Sequence, residues 1–543
     1  MTVLLELPPE CIIRTLSLLK PPQIARCQMI SHAFWNLISD SLELQYLLEL
    51  HYLRYVAPHA ASENPLPLDE RIRALKEKRL KRSAPDAACA TTIPLEPQDH
   101  GSVGFGVVGS HTFSRGTLVW QGRDGDQLGV YRLSSRNRGL DSSHYILKLH
   151  SEYEIAAIEP LLDLLVLFAV TEDGATFRVC SLETGLPHPA AVHPVIRYAS
   201  YSEDTNIRHA AYDTVQVEII GRRLVHMGET LGTLSLVTVL DWASGQILTS
   251  TEVAGYSVAF LSEEIFVVAT RMTPDTRDIP PLLALYTCDG VLPGDPAKLV
   301  VHLHFPPLSP TVQMQWPDFL PSTLPSIEGS RVPFARALPP FIYDMCSTSH
   351  YLVLLTPVVI TQPELPNLDA TYNCGTLLIH ASSLLELAGS LTAGRARGGY
   401  DNTSPSIPWS GWNSMTSWIS HRETCYPCCP SISGHLVACL YGMEELAMWQ
   451  VCIYDLRRET KETSQGRDYR QTMIESFFGD GSQPARAPLL VTSFSIPFTT
   501  IPWEKDWEES ENHYCPVELL IDDEHVVIFR TPSNNVQASI HVY

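Results

Sequence analysis

The N-terminal stretch has the apolar spacing of short helices. Its first apolar positions follow Pro9 at intervals of three or four residues, and such positions lie on one face of a helix. Proline and Glu10 are both favourable in the first turn of a helix. These positions are Ile12, Ile13, Leu16 and Leu19. Two further helices are predicted over Gln23–Met29 and Ser31–Asp40. Helices this short cannot cover all of their own apolar side chains, so the stretch predicts a surface for a partner.

Helical spacing continues over Leu42–Val56 and Leu66–Ser83. The second of these helices has seven Lys/Arg between Arg71 and Arg82 and a narrow apolar stripe. Such a charge run is typical of a solvated linker helix, with a nuclear-import signal as the alternative. The stripe consists of Leu68, Ile72, Leu75 and Leu80. Residues 83–99, which contain Ala, Pro and Asp, then predict the domain junction.

After about residue 100 the spacing changes from that of helices to that of strands. Short apolar runs alternate with turns, and the same three-strand unit recurs about seven times. Because the repeat continues to the end of the chain, we predict a β-propeller of roughly seven blades rather than a sandwich. The predicted strands are 117–121, 128–133, 155–158, 164–171, 177–181, 215–220, 223–227, 234–240, 257–260, 265–270, 282–287, 342–346, 351–356, 376–380, 431–433, 435–441, 449–455, 517–521, 525–530 and 538–543.

Two strand ends, Val239-Leu240-Asp241-Trp242 and Ile453-Tyr454-Asp455-Leu456, resemble the third strand of a WD repeat. The last unit ends at Tyr543 after its third strand. We expect residues 88–95 or 103–108 to supply the fourth strand of this last unit. Pairing between the two ends of the propeller closes the ring and removes a free edge.

Long Pro-rich insertions interrupt the propeller pattern at about 292–340, 387–426 and 460–516. Loops tolerate such lengthening at low cost and often carry binding function. Their tryptophans either form a contact surface or anchor each loop to its own blade. These residues are Trp316, Trp409, Trp412, Trp418, Trp503 and Trp507.

Several pieces of the N-terminal stretch follow one another with characteristic spacing. They are Leu7-Pro8-Pro9-Glu10-Cys11-Ile12-Ile13, Leu16–Leu19, Lys20-Pro21-Pro22, Ile24-Ala25-Arg26-Cys27 and Ile30-Ser31-His32-Ala33-Phe34-Trp35-Asn36-Leu37-Ile38. Their order resembles an F-box. Cys11 and Pro22 depart from that pattern, but Cys packs as a small hydrophobe and Pro is compatible with a helix start. The resemblance divides the chain into an F-box domain (1–50), a helical linker (51–99) and a propeller (100–543).

The resemblance implies a docking module that binds a Skp-type adaptor and through it a cullin, with the propeller holding an unknown protein substrate for ubiquitination. Some of the candidate residues must instead hold the three helices together. The candidate adaptor-binding residues are Leu7, Pro8, Ile12, Ile13, Leu16, Leu19, Ile24, Cys27, Ile30 and Trp35.

Composition narrows the class of protein. The formal net charge of −22 argues against neutralisation of nucleic-acid phosphates over a broad face. The N-terminus has no basic region before its apolar residues, and the apolar run 161–170 is half of a membrane span. The 13 cysteines are scattered, which favours reduced thiols. We therefore expect a cytoplasmic or nuclear protein with no nucleic-acid or membrane partner.

Candidate chemistry is sparse. His421, Cys425, Cys428 and Cys429 include one Cys-x-x-Cys spacing that suits zinc, but a second pair is missing, so half-buried thiols are the preferred interpretation. The glycines of 101–106 lack the helix that a phosphate loop needs. The acidic, Trp-containing stretch 503–511 is interpreted as a solvated loop or a docking site for a basic partner.

We expect no catalytic residues, metal or cofactor. The main alternative to a ligase subunit is a propeller interaction scaffold whose N-terminal helices pack in cis. A propeller hydrolase would need acids or histidines that converge at the central channel, and the sequence identifies no such set.

Overall fold

Apolar spacing and capping residues produce the N-terminal helices in the computed structural model. Pro9 and Pro21 each occupy the first position of a helix, where a missing N–H costs nothing. Ser31 Oγ accepts the Phe34 N–H at 3.3 Å, and this cap begins the third helix. The helices are α1 (Pro9–Ser17), α2 (Pro21–Gln28), α3 (His32–Asp40), α4 (Leu42–Leu53), α5 (Leu68–Ser83) and, far along the chain, α6 (Ala381–Arg397).

The structure describes most of the N-terminal helices and the strands of the propeller, with gaps between them. The described residues are 7–53, 55–57, 66–83, 90–94, 111–121, 127–135, 137, 139–149, 153–171, 174–198, 216–229, 234–270, 282–305, 312–314, 318–319, 322–323, 344–345, 351–360, 371–397, 405–420, 428–433, 436–443, 448–459, 488–497, 517–522, 524–530 and 537–542.

The remaining chain forms antiparallel sheets of four or five strands, numbered here in ring order. Sheet 1 contains β3 (His111–Ser114), β4 (Thr117–Gln121), β5 (Gln127–Arg132) and β6 (Ser143–Lys148). Sheet 2 contains β7 (Glu154–Glu159), β8 (Leu164–Thr171), β9 (Gly174–Ser181) and β10 (Val195–Tyr198). Sheet 3 contains β11 (Gln216–Ile220), β12 (Arg223–Glu229), β13 (Ser235–Asp241) and β14 (Gln246–Val253). Sheet 4 contains β15 (Gly255–Phe260), β16 (Ile265–Thr270), β17 (Leu282–Thr287), β18 (Lys298–His304) and the short parallel strand β25 (Ser406–Ile407).

The later sheets are less regular. Sheet 5 contains β19 (Val312–Met314), β20 (Asp318–Phe319), β23 (Tyr351–Ile360), β24 (Thr371–His380) and β26 (Thr416–Ser420). Sheet 6 contains β21 (Ser322–Thr323), β27 (Cys428–Ser433), β28 (Leu436–Met443), β29 (Met448–Glu459) and β30 (Pro488–Pro497). Sheet 7 contains β31 (Val517–Ile521), β32 (His525–Arg530), β33 (Gln537–Val542) and β2 (Ala90–Pro94).

The fold is mainly β, with N-terminal helices followed by a β-propeller, as predicted. The prediction of about seven equivalent units is wrong. Sheets 1 to 4 and sheet 6 each contain four strands that are consecutive along the chain, so the structure has five regular blades, not seven. Sheets 5 and 7 are composites, because their strands come from separated parts of the chain. The predicted strand at 342–346 belongs to no blade: β22 (Asp344–Met345) pairs with β1 (Tyr55–Val56).

Apolar side chains between neighbouring sheets form the core. Val119 and Leu165 pack between sheets 1 and 2, and Phe177 and Trp242 pack between sheets 2 and 3. The same kind of core joins sheet 3 to sheet 4 and sheet 4 to sheet 5. Sheet-on-sheet burial of this kind supplies the main stabilising term of a propeller.

The ring closes between the last sheet and the first. Strand β2 pairs with β33, from Ala90↔His541 to Pro94↔Gln537, so the prediction that residues 88–95 supply the missing strand is confirmed. Leu118 and Trp120 of sheet 1 pack against Val527 and Ile540 of sheet 7. The ring is therefore closed by both backbone pairing and an apolar core.

One predicted insertion, 387–426, contains part of α6 and a buried aromatic cluster. Trp409 and Trp412 are buried, with ring centroids 4.7 Å apart, and the Trp412 indole N–H donates to the His304 carbonyl at 2.9 Å. These two residues therefore anchor the insertion, but the bond of Trp412 is to sheet 4 and not to the insertion's own sheet 5. Trp418 lies on β26 opposite Leu377. Trp316, Trp503 and Trp507, like the acidic stretch 503–511, lie outside the described residues.

Candidate functional site

Helices α1 to α4 share one apolar core. Its buried members come from all four helices, so these helices pack as one unit. They are Ile12, Leu16, Ile24, Phe34, Ile38, Leu44 and Leu48. Partly buried side chains, including Ile13, Leu19 and Cys27, pack around this core.

The ten candidate adaptor-binding residues therefore separate into three groups. Ile12, Leu16 and Ile24 are buried in the core of the unit, and the structure assigns them to folding rather than to an open surface. Ile13, Leu19 and Cys27 are half-buried at its edge. Leu7, Pro8, Ile30 and Trp35 are exposed, with 44% of Leu7, 50% of Ile30 and 53% of Trp35 accessible to solvent.

The two most exposed apolar residues of this unit were missed by the sequence reasoning. Leu18 follows α1 and Met29 follows α2, and they are 78% and 79% exposed. For Leu18 the available signal was its position off the apolar face of α1 that Ile12, Leu16 and Leu19 define. An apolar residue off that face must be either solvent-exposed or covered by something outside the helix.

The linker is packed against the helical unit rather than solvated on all sides. Ile72 and Leu75 of α5 are buried against Tyr46, Leu50 and Leu53 of α4. Arg79 reaches Glu49 at 3.0 Å and its guanidinium lies over the Tyr52 ring at 5.4 Å. Burial raises the pKa of Tyr46, and the nearby Arg71 partly offsets the effect. In the stripe, Leu80 alone is mostly exposed.

The helical unit is also joined to the propeller side of the chain. Directly after α4, Tyr55 pairs with Met345 and Val56 with Asp344. The packed α4–α5 pair and this short sheet both restrict the position of the helices. A unit held in this way presents its exposed side chains in a defined direction.

The buried ionisable side chains of sheet 3 do not form an acid–base pair. On β11, Glu218 faces sheet 4, where its Oε2 accepts the Phe260 N–H at 2.9 Å. On β12, His226 lies opposite Val217 and against Phe168 and Phe177 of sheet 2. Burial raises the pKa of Glu218 to about 8, although the Phe260 N–H lowers it, and burial lowers the pKa of His226 to about 3. Opposite faces of a sheet cannot share one substrate.

A third buried group joins sheet 7 to sheet 1. His525 Nδ1 contacts Asp522 Oδ1 at 3.0 Å, and His525 Nε2 donates to the Ser134 carbonyl at 2.8 Å. Burial lowers the pKa of His525, but the Asp522 carboxylate outweighs burial and the pKa rises to about 9. Beside it, Glu524 accepts hydrogen bonds from Ser135 Oγ and from the Asn137 N–H. These contacts join sheet 7 to sheet 1, so the structure assigns this cluster a role in closing the ring.

Metal binding has no geometric support in the described ranges, where no group of three or more His, Cys, Asp or Glu side chains could hold an ion. Cys425 and His421 lie outside those ranges, and Cys428 begins β27. Of the helices that the structure describes, none is long and apolar enough to cross a bilayer.

Comparison with known proteins finds similarity at the level of fold. No protein-family model and no curated protein matches the chain. Among solved structures, the β-propeller domain of the trilobed protease from Pyrococcus furiosus is 9% identical, with 82% of this chain and 93% of that chain covered and a TM-score of 0.34. The extracellular domains 1–2 of Drosophila Semaphorin 1a are 7% identical, with 79% and 85% covered and a TM-score of 0.37.

A polysaccharide lyase, Uly1, is 8% identical, with 85% of this chain and 95% of that chain covered and a TM-score of 0.34. Similarity this low carries no argument about activity.

Proposed function

We propose that this protein is the substrate-recognition subunit of a Skp–cullin–F-box ubiquitin ligase. The observation that carries the proposal is the N-terminal helical unit, which has its own core and still leaves Leu7, Pro8, Ile30 and Trp35 exposed. Large apolar and aromatic side chains at the surface are typical of protein interfaces. Leu18 and Met29 are further exposed apolar side chains of the same helical unit.

The proposed mechanism is positioning without catalysis. The exposed face of the helical unit binds the Skp-type adaptor, and the propeller binds the substrate, so that a recruited conjugating enzyme meets the substrate at a high effective concentration. The α4–α5 core and the pairing of β1 with β22 support this role, because they limit the directions in which the two ends can point.

The test is capture of a purified Skp-type adaptor by the full chain. Trp35→Ala, Leu18→Ala and the double substitution Leu7→Ala/Pro8→Ala each remove an exposed side chain from the candidate surface and leave the core intact. For Trp35→Ala we expect roughly thirtyfold weaker binding, because an aromatic hot spot contributes about 2 kcal/mol.

The matched control is Leu292→Ala. Leu292 on the propeller is 72% exposed, close to the value for Leu18, and its loss should leave adaptor capture unchanged. Full adaptor capture by the Leu7→Ala/Pro8→Ala and Trp35→Ala variants would exclude the proposed surface.

The second candidate function is a propeller interaction scaffold with no ligase role. It is favoured by the packing of α5 on α4 and by the β1–β22 pairing, which show that part of the helical region is used within the chain itself. Co-purification distinguishes the two: a scaffold returns no adaptor from cells or from purified mixtures.

A further inference from the structure

Three large apolar side chains are left uncovered on one edge of the propeller. Leu186 and Val192, which are 65% and 71% exposed, lie in the connection between β9 and β10 of sheet 2. Leu292 is 72% exposed and lies in the corresponding connection between β17 and β18 of sheet 4. In the described part of the propeller these are the most exposed of the large apolar residues. We call this set the rim surface.

Sheet 3 brings the two connections together. The turn after β13 contacts one connection and strand β14 contacts the other: on one side the Val192 N–H donates to the Ala243 carbonyl at 2.7 Å. On the other side the Gly294 N–H donates to the Leu248 carbonyl at 3.2 Å, and Thr249 Oγ1 donates to the Asp295 carbonyl at 2.6 Å. The backbone of both connections is thus fixed, while their apolar side chains remain in solvent. A preordered surface of this kind binds a partner at a low entropic cost.

Acidic side chains surround the rim surface. Asp289 and Asp295 belong to the same connection as Leu292, Glu183 lies in the connection of sheet 2, and Glu264 lies in the turn beside Cys288. All four of these acidic residues are exposed.

The basic groups at this edge are largely engaged. Arg222 and Arg223 each contact Asp241 at 3.0 Å, and Lys298 Nζ donates to the Gly290 carbonyl at 2.8 Å.

The net charge of the propeller part of the chain is negative, like the side chains around the rim surface. Residues 84–543 contain 27 Lys+Arg and 51 Asp+Glu, whereas residues 1–83 contain 11 and 9. The acidic excess therefore belongs to the propeller and its insertions. A partner rich in lysine or arginine is attracted to this part of the chain and is directed away from the helical unit.

We infer that the rim surface binds a protein segment in which apolar side chains alternate with lysine or arginine. The apolar side chains of that segment cover Leu186, Val192 and Leu292, and its cations face the surrounding carboxylates. The inference stands for a scaffold as well as for a ligase subunit. Where the proposed function also holds, it names the substrate class, and the lysines of such a segment are the groups that ubiquitination modifies.

The test uses the full chain and three short fluorescent peptides: leucine alternating with lysine, leucine alternating with glutamate, and serine alternating with lysine. Binding is followed by fluorescence anisotropy at two salt concentrations. We expect the leucine–lysine peptide to bind best and to weaken as salt rises, because the exposed charges are screened. Val192→Ser/Leu292→Ser should weaken its binding at least tenfold, and Asp289→Asn/Asp295→Asn should reduce the salt dependence.

Leu18→Ser is the matched control, since it removes a leucine that is 78% exposed on the helical unit. It should leave peptide binding unchanged and weaken adaptor capture, whereas Val192→Ser/Leu292→Ser should do the reverse. Failure of the rim inference and failure of the proposed function are therefore separate outcomes.

Equal binding of all three peptides, or unchanged binding by Val192→Ser/Leu292→Ser, would overturn the inference. So would a dimer of the wild-type chain that this double variant converts to monomer in sedimentation, because a second copy would then be the occupant. Circular dichroism checks that each variant is folded.

Discussion

Glu218→Gln is predicted to remove a large part of the pH dependence of stability. The Glu218 side chain is 6% exposed between sheets 3 and 4, and its Oε2 accepts the Phe260 N–H. Within the described residues, its Oε1 has no hydrogen-bond partner. A carboxylate in this position loses its hydration and receives one hydrogen bond in return, so the neutral acid is favoured and the pKa rises from 4.5 to about 8.

The magnitude follows from that shift. Because the folded protein holds the proton more tightly than the unfolded chain, the contribution is fully present below pH 4.5 and is lost as the pH rises through about 8. A difference of roughly 3.5 units corresponds to about 5 kcal/mol of unfolding free energy between these limits. Glutamine keeps an acceptor for the Phe260 N–H and does not titrate, so the variant lacks this contribution.

The assay is urea unfolding of the wild type and of Glu218→Gln, followed by tryptophan fluorescence at several pH values between 4.5 and 9. In the difference between the two unfolding free energies, the contributions of the titratable groups that both proteins contain cancel. As the pH rises, the unfolding free energy of the variant should increase relative to that of the wild type. If this difference stays constant over the pH range, or if the wild type gains stability relative to the variant, the placement of Glu218 in a water-free interface between sheets 3 and 4 is refuted.

Two further substitutions test how the ring is held together. His525→Ala leaves the buried Asp522 carboxylate without its cation and removes the bond to Ser134, so we expect a loss of about 3–5 kcal/mol. The pKa of His525 is raised to about 9, so its contribution is present below pH 6.5 and is lost as the pH rises through 9. Trp242→Ala removes a buried indole whose N–H donates to the Gly221 carbonyl at 2.9 Å, and should cost about 3–5 kcal/mol in the same urea assay.

Each of these substitutions has a control. Trp242→Phe removes the hydrogen bond and part of the ring volume, so it should cost clearly less than alanine. For the ring closure, His144→Ala changes a histidine that is exposed on β6 and stacked on Tyr131, and should cost little. If His525→Ala costs no more than His144→Ala, the cluster of sheets 7 and 1 does not fasten the ring.

The sequence was most informative where local spacing was regular. The predicted strands at 117–121, 164–171, 265–270, 282–287, 517–521 and 525–530 have the bounds of β4, β8, β16, β17, β31 and β32. The turn after β13 also has a local signal in the sequence, because Gly245 has a φ of 74° and donates its N–H to the Asp241 carbonyl at 2.8 Å. Period-two spacing and glycine at a left-handed turn position are encoded by neighbouring residues, so they can be read without the fold.

Elements with weak local signals were missed. The outer strands β6 and β14 are half-exposed and mix polar with apolar residues, so neither a helical nor a strand spacing was clear. Helix α6 begins directly after β24; its first residues had no predicted structure, and the rest were assigned to the Pro-rich insertion at 387–426. Its Leu384 and Ala388 are buried against the sheets, and this packing, more than the spacing of the residues, identifies the helix.

The sequence by itself thus determined that helices precede a repetitive β region, and that the N-terminal helices carry more apolar surface than they can bury. Tertiary structure decided which side chains form that surface. Ile12 and Ile24 belong to the core, whereas Trp35 and Ile30 are exposed, although all four fit the same apolar pattern. It also decided that 88–95, one of the two candidate segments, supplies the strand that closes sheet 7, and that two sheets are composites. Strand edges pair with, and apolar faces pack against, segments that are far away in the chain. Local spacing does not specify which segment that is.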